Sequence, residues 1–307
     1  MYPTRTEDDV TREQRAAVDE MFRRPRPGGS QTIAEARAGF AALMATMRVA
    51  EGIRTGPTTL AGRPALLVEP EGPAAPGTLL YFHGGSYALG SPETALSLTS
   101  ALVVRTGVPA VSLDYRLAPE HPFPAALDDA LAAYRALLDD GADPGAVAFA
   151  GDSAGGGIAV TTCLRARDAG LPVPAAVVAF SPGLDATRSG ASIDSKSGVD
   201  PFFTRAGLEA SGATYLAGAD PDQDLLSPAT RGDLTGLPPL LLQVGTNELL
   251  LDDSTRMAQR AWAAGVDVVL DVTADVPHVF QSLTGVLDEA DQALDRAALF
   301  LTEHLGA

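Results

Sequence analysis

Cysteine is almost missing from this chain: Cys163 stands alone among 307 residues. One thiol cannot close an internal disulfide, and there is neither a C-x-x-C pair nor a Cys/His zinc pattern. The sequence therefore carries no mark of an oxidising compartment and predicts no metal. Apolar runs are short. The longest, around Leu240–Leu242, is strand-length, far below the ~20 residues that cross a bilayer. The opening MYPTRTEDDVTREQR has no apolar h-region, which argues against a secretory signal. Positive charge is scarce as well: 22 Lys and Arg against 39 Asp and Glu leave a formal net charge of −17. Such a surface repels nucleic acid and anionic membranes, and solubility is its plainest role. These absences predict a soluble, cytoplasmic protein with neither nucleic acid nor membrane as partner. No internal repeat or low-complexity tract is present.

What is there reads as globular. Hydrophobic residues make up 46% and charged residues 20%, ordinary values for a folded domain. The length suits one large α/β domain, alone or with a small appendage. Residues 1–50 read as two helices. Thr11 with Gln14 and Thr32 with Glu35 form capping boxes, and Arg23–Ser30 forms a loop between them. After the second box Ile33, Ala36, Phe40, Leu43, Met44 and Met47 recur at helical spacing. From about residue 62 short apolar runs alternate with helical segments. Strands are expected at Ala65–Val68, Thr78–Phe82, Ala110–Leu113, Ala146–Ala150, Ala175–Phe180, Leu240–Val244 and Val266–Val272. Helices are expected at Ala125–Leu138, Gly156–Ala169, Asp253–Ala264 and Glu289–Leu305. This alternation implies βαβ units, a mostly parallel sheet and helices on both of its faces. The stretch 181–238, rich in Ser, Asp and Gly, breaks the rhythm. It reads as an insertion into a catalytic domain of residues 51–307 that joins the first fifty residues in a cap.

The strongest motif is Gly151-Asp152-Ser153-Ala154-Gly155, a G-x-S-x-G between the apolar run AVAFA and a helical segment. In a nucleophile elbow the chain turns sharply from strand to helix. Glycines let backbone approach backbone, and the serine hydroxyl is left exposed. A second motif, His83-Gly84-Gly85-Ser86, directly follows TLLYF. Adjacent glycines permit a tight loop whose N–H groups point inward, as stabilisation of a tetrahedral oxyanion requires. His83 itself suits loop shaping better than proton transfer.

A serine nucleophile needs a base, and only four histidines exist. His121 lies in a Pro-rich turn and His304 near the C-terminus. His278 follows the last strand candidate, where this type of fold carries its base, in the chain order serine, acid, histidine. The acid should follow PPLLLQV. Glu248 comes first there, and Asp252 and Asp253 lie where the next helix begins, a common place for N-cap carboxylates. Cys163, on the helix after the elbow, suits a small buried apolar role.

The segments YFHGGSYALGS, DYRLAPEHPFPAAL, GDSAGGG and PHVF together resemble the hormone-sensitive-lipase-like bacterial esterases, family IV, a branch of the α/β-hydrolases. The resemblance runs from about residue 62 to the C-terminus. It implies an eight-stranded, mostly parallel sheet under a helical cap, and hydrolysis of short- or medium-chain esters without cofactor or metal. By position it implies Ser153 as nucleophile, His278 as base, Glu248 as acid, and Gly84, Gly85 and Ala154 as oxyanion donors. Two departures stand out: Ser86 replaces a usual third glycine, and Glu248 replaces the more frequent aspartate. Arg116 and Glu120 are expected to pair beneath the oxyanion loop. Ser86, Tyr87, Phe202 and Phe203 are candidates for the substrate pocket. The same machinery also serves N-acetyl and lactone substrates. A ligand-binding receptor of this type lacks the histidine that His278 supplies here. Val266–Val272, an apolar sheet edge, predicts a homodimer, as related esterases often form.

Overall fold

A computed structural model of the chain describes residues 7–23 and 32–306. Its strands are β1 (Ile53–Leu60), β2 (Arg63–Pro70), β3 (Thr78–Phe82), β4 (Ala110–Leu113), β5 (Val147–Asp152), β6 (Ala176–Phe180), β7 (Leu240–Gly245) and β8 (Val268–Thr273). Among the described residues they form one eight-stranded sheet in the order β1-β2-β4-β3-β5-β6-β7-β8. The β1/β2 and β2/β4 pairs are antiparallel; every later pair is parallel. The helices are α1 (Glu7–Arg23), α2 (Ile33–Met44), α3 (Leu96–Thr106), α4 (Ala125–Asp139), α5 (Ala154–Asp168), α6 (Ser192–Ser195), α7 (Arg205–Leu216), α8 (Leu251–Ala263) and α9 (Asp288–Leu305).

The central strands are apolar almost without interruption because both of their faces are covered. Successive side chains point to opposite faces. Leu80, Phe82, Phe149 and Leu242 join the core shared with α4, α5 and α8. Leu79, Tyr81, Ala148 and Leu241 join the core shared with α3 and α9. The strand with no counterpart in the sequence reading is β1, IRTGPTTL, which contains Gly56 and Pro57. An edge strand tolerates both, since one side of its ladder is unpaired. Helix α3, LSLTSALVVRT, also escaped the reading. Its Ser, Thr and Val content lowers helix propensity, and burial between the sheet and α9 overrides that weakness.

The two N-terminal helices are present with corrections. Helix α1 starts at Glu7, so Thr11 lies inside it rather than at a cap, and Arg23 is its last residue. The rest of the expected Arg23–Ser30 loop lies outside the described residues. The Thr32 box does form: Glu35 N–H donates to Thr32 Oγ1 at 3.2 Å and Thr32 N–H to Glu35 Oε2 at 2.8 Å. The apolar stripe of α2 is half-buried, with no residue fully covered. Both helices touch the 181–238 segment. Phe22 meets Phe202 edge to face at 5.6 Å, Arg23 Nη2 donates to Val199 O at 2.7 Å, and Ile33 packs beside Tyr215 and Leu216.

Arg116 and Glu120 do not pair. Arg116 forks onto the buried Asp129 of α4, with Nη2–Oδ1 at 2.7 Å. The turn closed by His121 N–H on Leu117 O carries Glu120 outward, where Arg37 of α2 takes it at 2.6 Å. Arg37 also donates to Ala88 O at 2.9 Å and Ala118 O at 3.0 Å, tying α2 to the loop after β3.

Candidate active site

Ser153 sits between β5 and α5 with φ 53° and ψ −118°. Its N–H donates to Phe180 O at 2.8 Å, which pins the turn to the neighbouring strand. A left-handed φ at a non-glycine residue costs ~1–3 kcal/mol and persists only where the surroundings impose it. They do so here through close backbone contact. A Cβ on Gly155 would stand 1.9 Å from Phe82 O, and one on Gly151 would stand 2.4 Å from Gly155 O.

His278 Nε2 lies 2.9 Å from Ser153 Oγ, and His278 Nδ1 lies 2.8 Å from Glu248 Oε2. The three residues follow β5, β7 and β8, all in the parallel part of the sheet, so the topology carries them to the same end of it. The other Glu248 oxygen, Oε1, accepts from Gly245 N–H at 2.6 Å and Ser181 Oγ at 2.7 Å. Ser181 Oγ in turn accepts the N–H of Val279, next to His278, at 3.0 Å. Ser181 thus braces both the carboxylate and the histidine loop. No sequence signal marked it beyond its place at the end of β6. Asp200, also unmarked, accepts Leu249 N–H at 2.8 Å through Oδ2 and the amides of Phe202 and Phe203 through Oδ1. Its position ahead of Pro201 is an Asx-turn signature that the sequence does display.

Asp252 and Asp253 point elsewhere. Asp252 Oδ2 accepts Ser192 N–H at 3.0 Å, while Asp253 Oδ2 accepts Leu184 N–H at 2.8 Å and Asp185 N–H at 2.9 Å. Neither acts as the expected N-cap, because α8 begins at Leu251, two residues before the expected start, with Leu250 at the cap position. Their carboxylates serve the 184–192 segment instead.

The loop after β3 corrects one expectation. Gly84 N–H donates to Asp152 Oδ1 at 3.1 Å, which makes it unavailable to a substrate oxygen. Asp152 also accepts Tyr81 O–H at 2.8 Å. Burial pushes its carboxyl up to about 6 against the pull of these hydrogen bonds. A Cβ on Gly84 would stand 2.1 Å from Asp152 Oδ2, so this glycine makes room for the carboxylate. The amides of Gly85, Ser86 and Ala154 have no hydrogen-bond partner among the described residues. Gly85 has φ 123°, and a Cβ there would stand 2.2 Å from Leu89 O. His83 braces the loop from below: its Nδ1 lies 2.8 Å from Gly84 O and its ring stacks on Tyr115 at 4.2 Å. Burial pushes His83 down to about 4, so its ring is neutral near pH 7.

A cleft of about 570 Å³, counted out to its open mouth, leads from Ser153 and Ala154 toward α7. Ser86, Tyr87 and Phe203 line it, and Phe203 touches the His278 ring edge-on at 4.7 Å. Phe202 is not on the cleft wall. Its ring stands behind Phe203 at 4.8 Å and His278 at 5.9 Å and packs with Phe22, Met21 and Met47. Tyr87 stacks on Tyr215 at 3.8 Å, closing the α7 side. Among the described residues no group of His, Cys, Asp and Glu side chains is placed to hold a metal ion. No helix there is long and apolar enough to cross a membrane.

Residues 79–282, more than half of the chain, match the family model described as an alpha/beta hydrolase fold. The chain belongs to the α/β-hydrolase family. It is 48% identical over 229 residues to an acetyl-hydrolase of Streptomyces hygroscopicus, covering 75% of this chain and 76% of that one. It is 34% identical over 237 residues to the carboxylesterase NlhH of Mycobacterium tuberculosis, covering 75% and 74%. Its fold superposes with a TM-score of 0.91 on an esterase of the bacterial hormone-sensitive lipase family, 38% identical and covered in full on both sides. This hydrolase is an enzyme of that esterase group, and the resemblance carried by its motifs holds.

Proposed function

We propose that this hydrolase is a serine esterase that cleaves short- to medium-chain esters through an acyl-enzyme on Ser153, without a cofactor. The observation that carries this reading is the continuous hydrogen-bonded line Ser153 Oγ–His278–Glu248, with links of 2.9 and 2.8 Å. Serine's hydroxyl is a weak nucleophile until a base takes its proton. His278 Nε2 accepts that proton as Ser153 Oγ attacks the ester carbonyl. Glu248 holds Nδ1 protonated and stabilises the imidazolium. The tetrahedral oxyanion rests on the N–H groups of Gly85, Ser86 and Ala154, the amides that lack other partners. Loss of one such donor costs ~10²–10³ in rate. His278 then protonates the departing alcohol, and water frees the acid by the same steps.

Helices α1 and α2, from residues 1–50, act with the 181–238 insertion as a cap over the rest of the catalytic domain of residues 51–307. Support comes from the Phe22–Phe202 and Arg23–Val199 contacts and from Phe203, Leu208 and Tyr215 on the cleft wall. A second reading is removal of acetyl groups from nitrogen; the 48% identity to an acetyl-hydrolase supports an acetyl substrate without naming the atom that carries it. A panel of p-nitrophenyl esters and matched acetamides separates the two. A fluorophosphonate should label the wild type on Ser153. Ser153→Ala should escape labelling, stay folded by circular dichroism and lose more than ~99% of p-nitrophenyl butyrate turnover. Retained turnover in that variant would sink the assignment.

A further inference from the structure

The cleft that opens on Ser153 is walled by apolar, aromatic and small polar side chains, and among the described residues that line it one is ionised, Arg188. A charge on an apolar wall is costly unless something pairs with it. Uncharged acyl chains offer it no partner.

The loop that carries Arg188 is built around Asp185. Asp185 Oδ1 accepts Thr187 N–H at 3.0 Å and Thr187 Oγ1 at 2.5 Å. Its Oδ2 accepts Ser189 N–H at 3.1 Å, Ser189 Oγ at 2.7 Å and Arg256 Nη1 at 3.0 Å. Burial favours the neutral acid, but the hydrogen bonds from Thr187 and Ser189 outweigh it and hold this carboxyl below its usual range. Arg256 is thereby occupied and does not line the cleft. Arg188 itself is held in the left-handed region, at φ 55°, where a non-glycine residue is strained.

The side chain of Arg188 is only 18% exposed. Its Nη1 is used within the protein, donating to Asp185 O at 3.3 Å and lying 3.9 Å from Asp253 Oδ2. Nε and Nη2, which form one straight edge of the planar fork, have no partner among the described residues. That edge is the one that grips a carboxylate through two parallel hydrogen bonds. Asp253 neutralises Arg188 incompletely: its Oδ2 already receives two backbone amides, and burial pushes its carboxyl up to about 7.

We propose that Arg188 determines specificity by binding a carboxylate on the ester, which makes anionic esters the preferred substrates of this cleft. The inference rests on the esterase reading. It adds no chemical step, because the carboxylate is held and the ester bond is cleaved as described above.

The test uses pairs that differ only in charge: 4-acetoxybenzoate against 4-acetoxybenzamide for the alcohol side, and p-nitrophenyl hemiglutarate against p-nitrophenyl glutaramate for the acyl side. In at least one pair the wild type should favour the anion by about tenfold or more in kcat/KM, as a charge-assisted hydrogen bond allows. Arg188→Met should bring that ratio close to one, and Arg188→Lys should retain part of it. Calorimetric binding of the same four compounds to Ser153→Ala reads the preference without turnover and without altering Arg188. Equal affinities within both pairs there, or a ratio unchanged in a folded Arg188→Met, would overturn the proposal. A wild type that hydrolyses p-nitrophenyl butyrate while showing no anion preference would reject the role of Arg188 and leave the esterase reading intact. A wild type inert to every ester would sink the esterase reading, and the calorimetry would still decide for or against the anion site.

Discussion

Glu248→Gln probes the line of hydrogen bonds at its most sensitive point. The amide must give one side an oxygen and the other an NH₂. Turned toward Gly245, the NH₂ would face a backbone N–H that now donates to Oε1 at 2.6 Å. Two donors facing each other in a buried site cost about 1–3 kcal/mol, a factor of about 5 to 150. The oxygen therefore stays with Gly245 and Ser181, and the NH₂ meets His278 Nδ1. The imidazole then accepts at Nδ1 and carries its proton on Nε2, the atom 2.9 Å from Ser153 Oγ that has to take the serine proton. Turnover requires the disfavoured orientation and also forgoes the carboxylate charge that steadies the imidazolium. The two losses together predict a fall in kcat of ~10²–10⁴. Asp252→Asn provides the contrast. Its carboxylate serves Ser192 N–H at 3.0 Å and does not reach His278. That change should cost less than about threefold in kcat and at most ~1 kcal/mol in stability. The assay is kcat for p-nitrophenyl butyrate at pH 8 for both variants, with thermal melts to establish folding. If folded Asp252→Asn proves the more damaging, or folded Glu248→Gln keeps over a tenth of the activity, the reasoning fails.

Among uncharged p-nitrophenyl esters, rates should peak at acyl chains of about two to eight carbons, with no jump at a lipid interface, because a bounded cleft encloses the acyl group; rates rising to sixteen carbons would contradict this. Asp152 supplies a pH signature: burial raises its folded carboxyl to about 6, above its unfolded value, so the folded state holds the extra proton between the two and this group's support declines as pH rises from about 4 to 6. Asp152→Asn should flatten that part of the melting temperature profile, and identical slopes in wild type and variant would refute the raised carboxyl. The outer strand β8 exposes Val269, Leu270 and Val272 at 46%, 37% and 43%. We expect pairing there to give a homodimer, since apolar edges invite it, and light scattering at micromolar concentration returning the monomer mass of 31.6 kDa would exclude it.

Local pattern alone determined much of this protein. The central strands β3, β5, β6 and β7 are apolar runs with few interruptions, Gln243 in β7 among them, which a sheet covered on both faces accommodates. The elbow glycines and Ser153 stand at fixed offsets from one strand end. His278 and Glu248 follow from chain order, because the parallel topology brings successive strand ends to one edge. Tertiary structure decided what depends on partners distant in sequence. Gly84 resembled an oxyanion donor until Asp152, in the elbow itself, claimed its N–H. Arg116 and Glu120 are neighbours along the chain, yet Asp129 and Arg37 reach them first. Edge strand β1 and buried helix α3 contradict their local propensities because packing outweighs them. Ser181 and Arg188 carried no readable motif and Asp200 only the mark of a turn before Pro201, since their roles exist only where the 181–203 segment folds back over the ends of the strands.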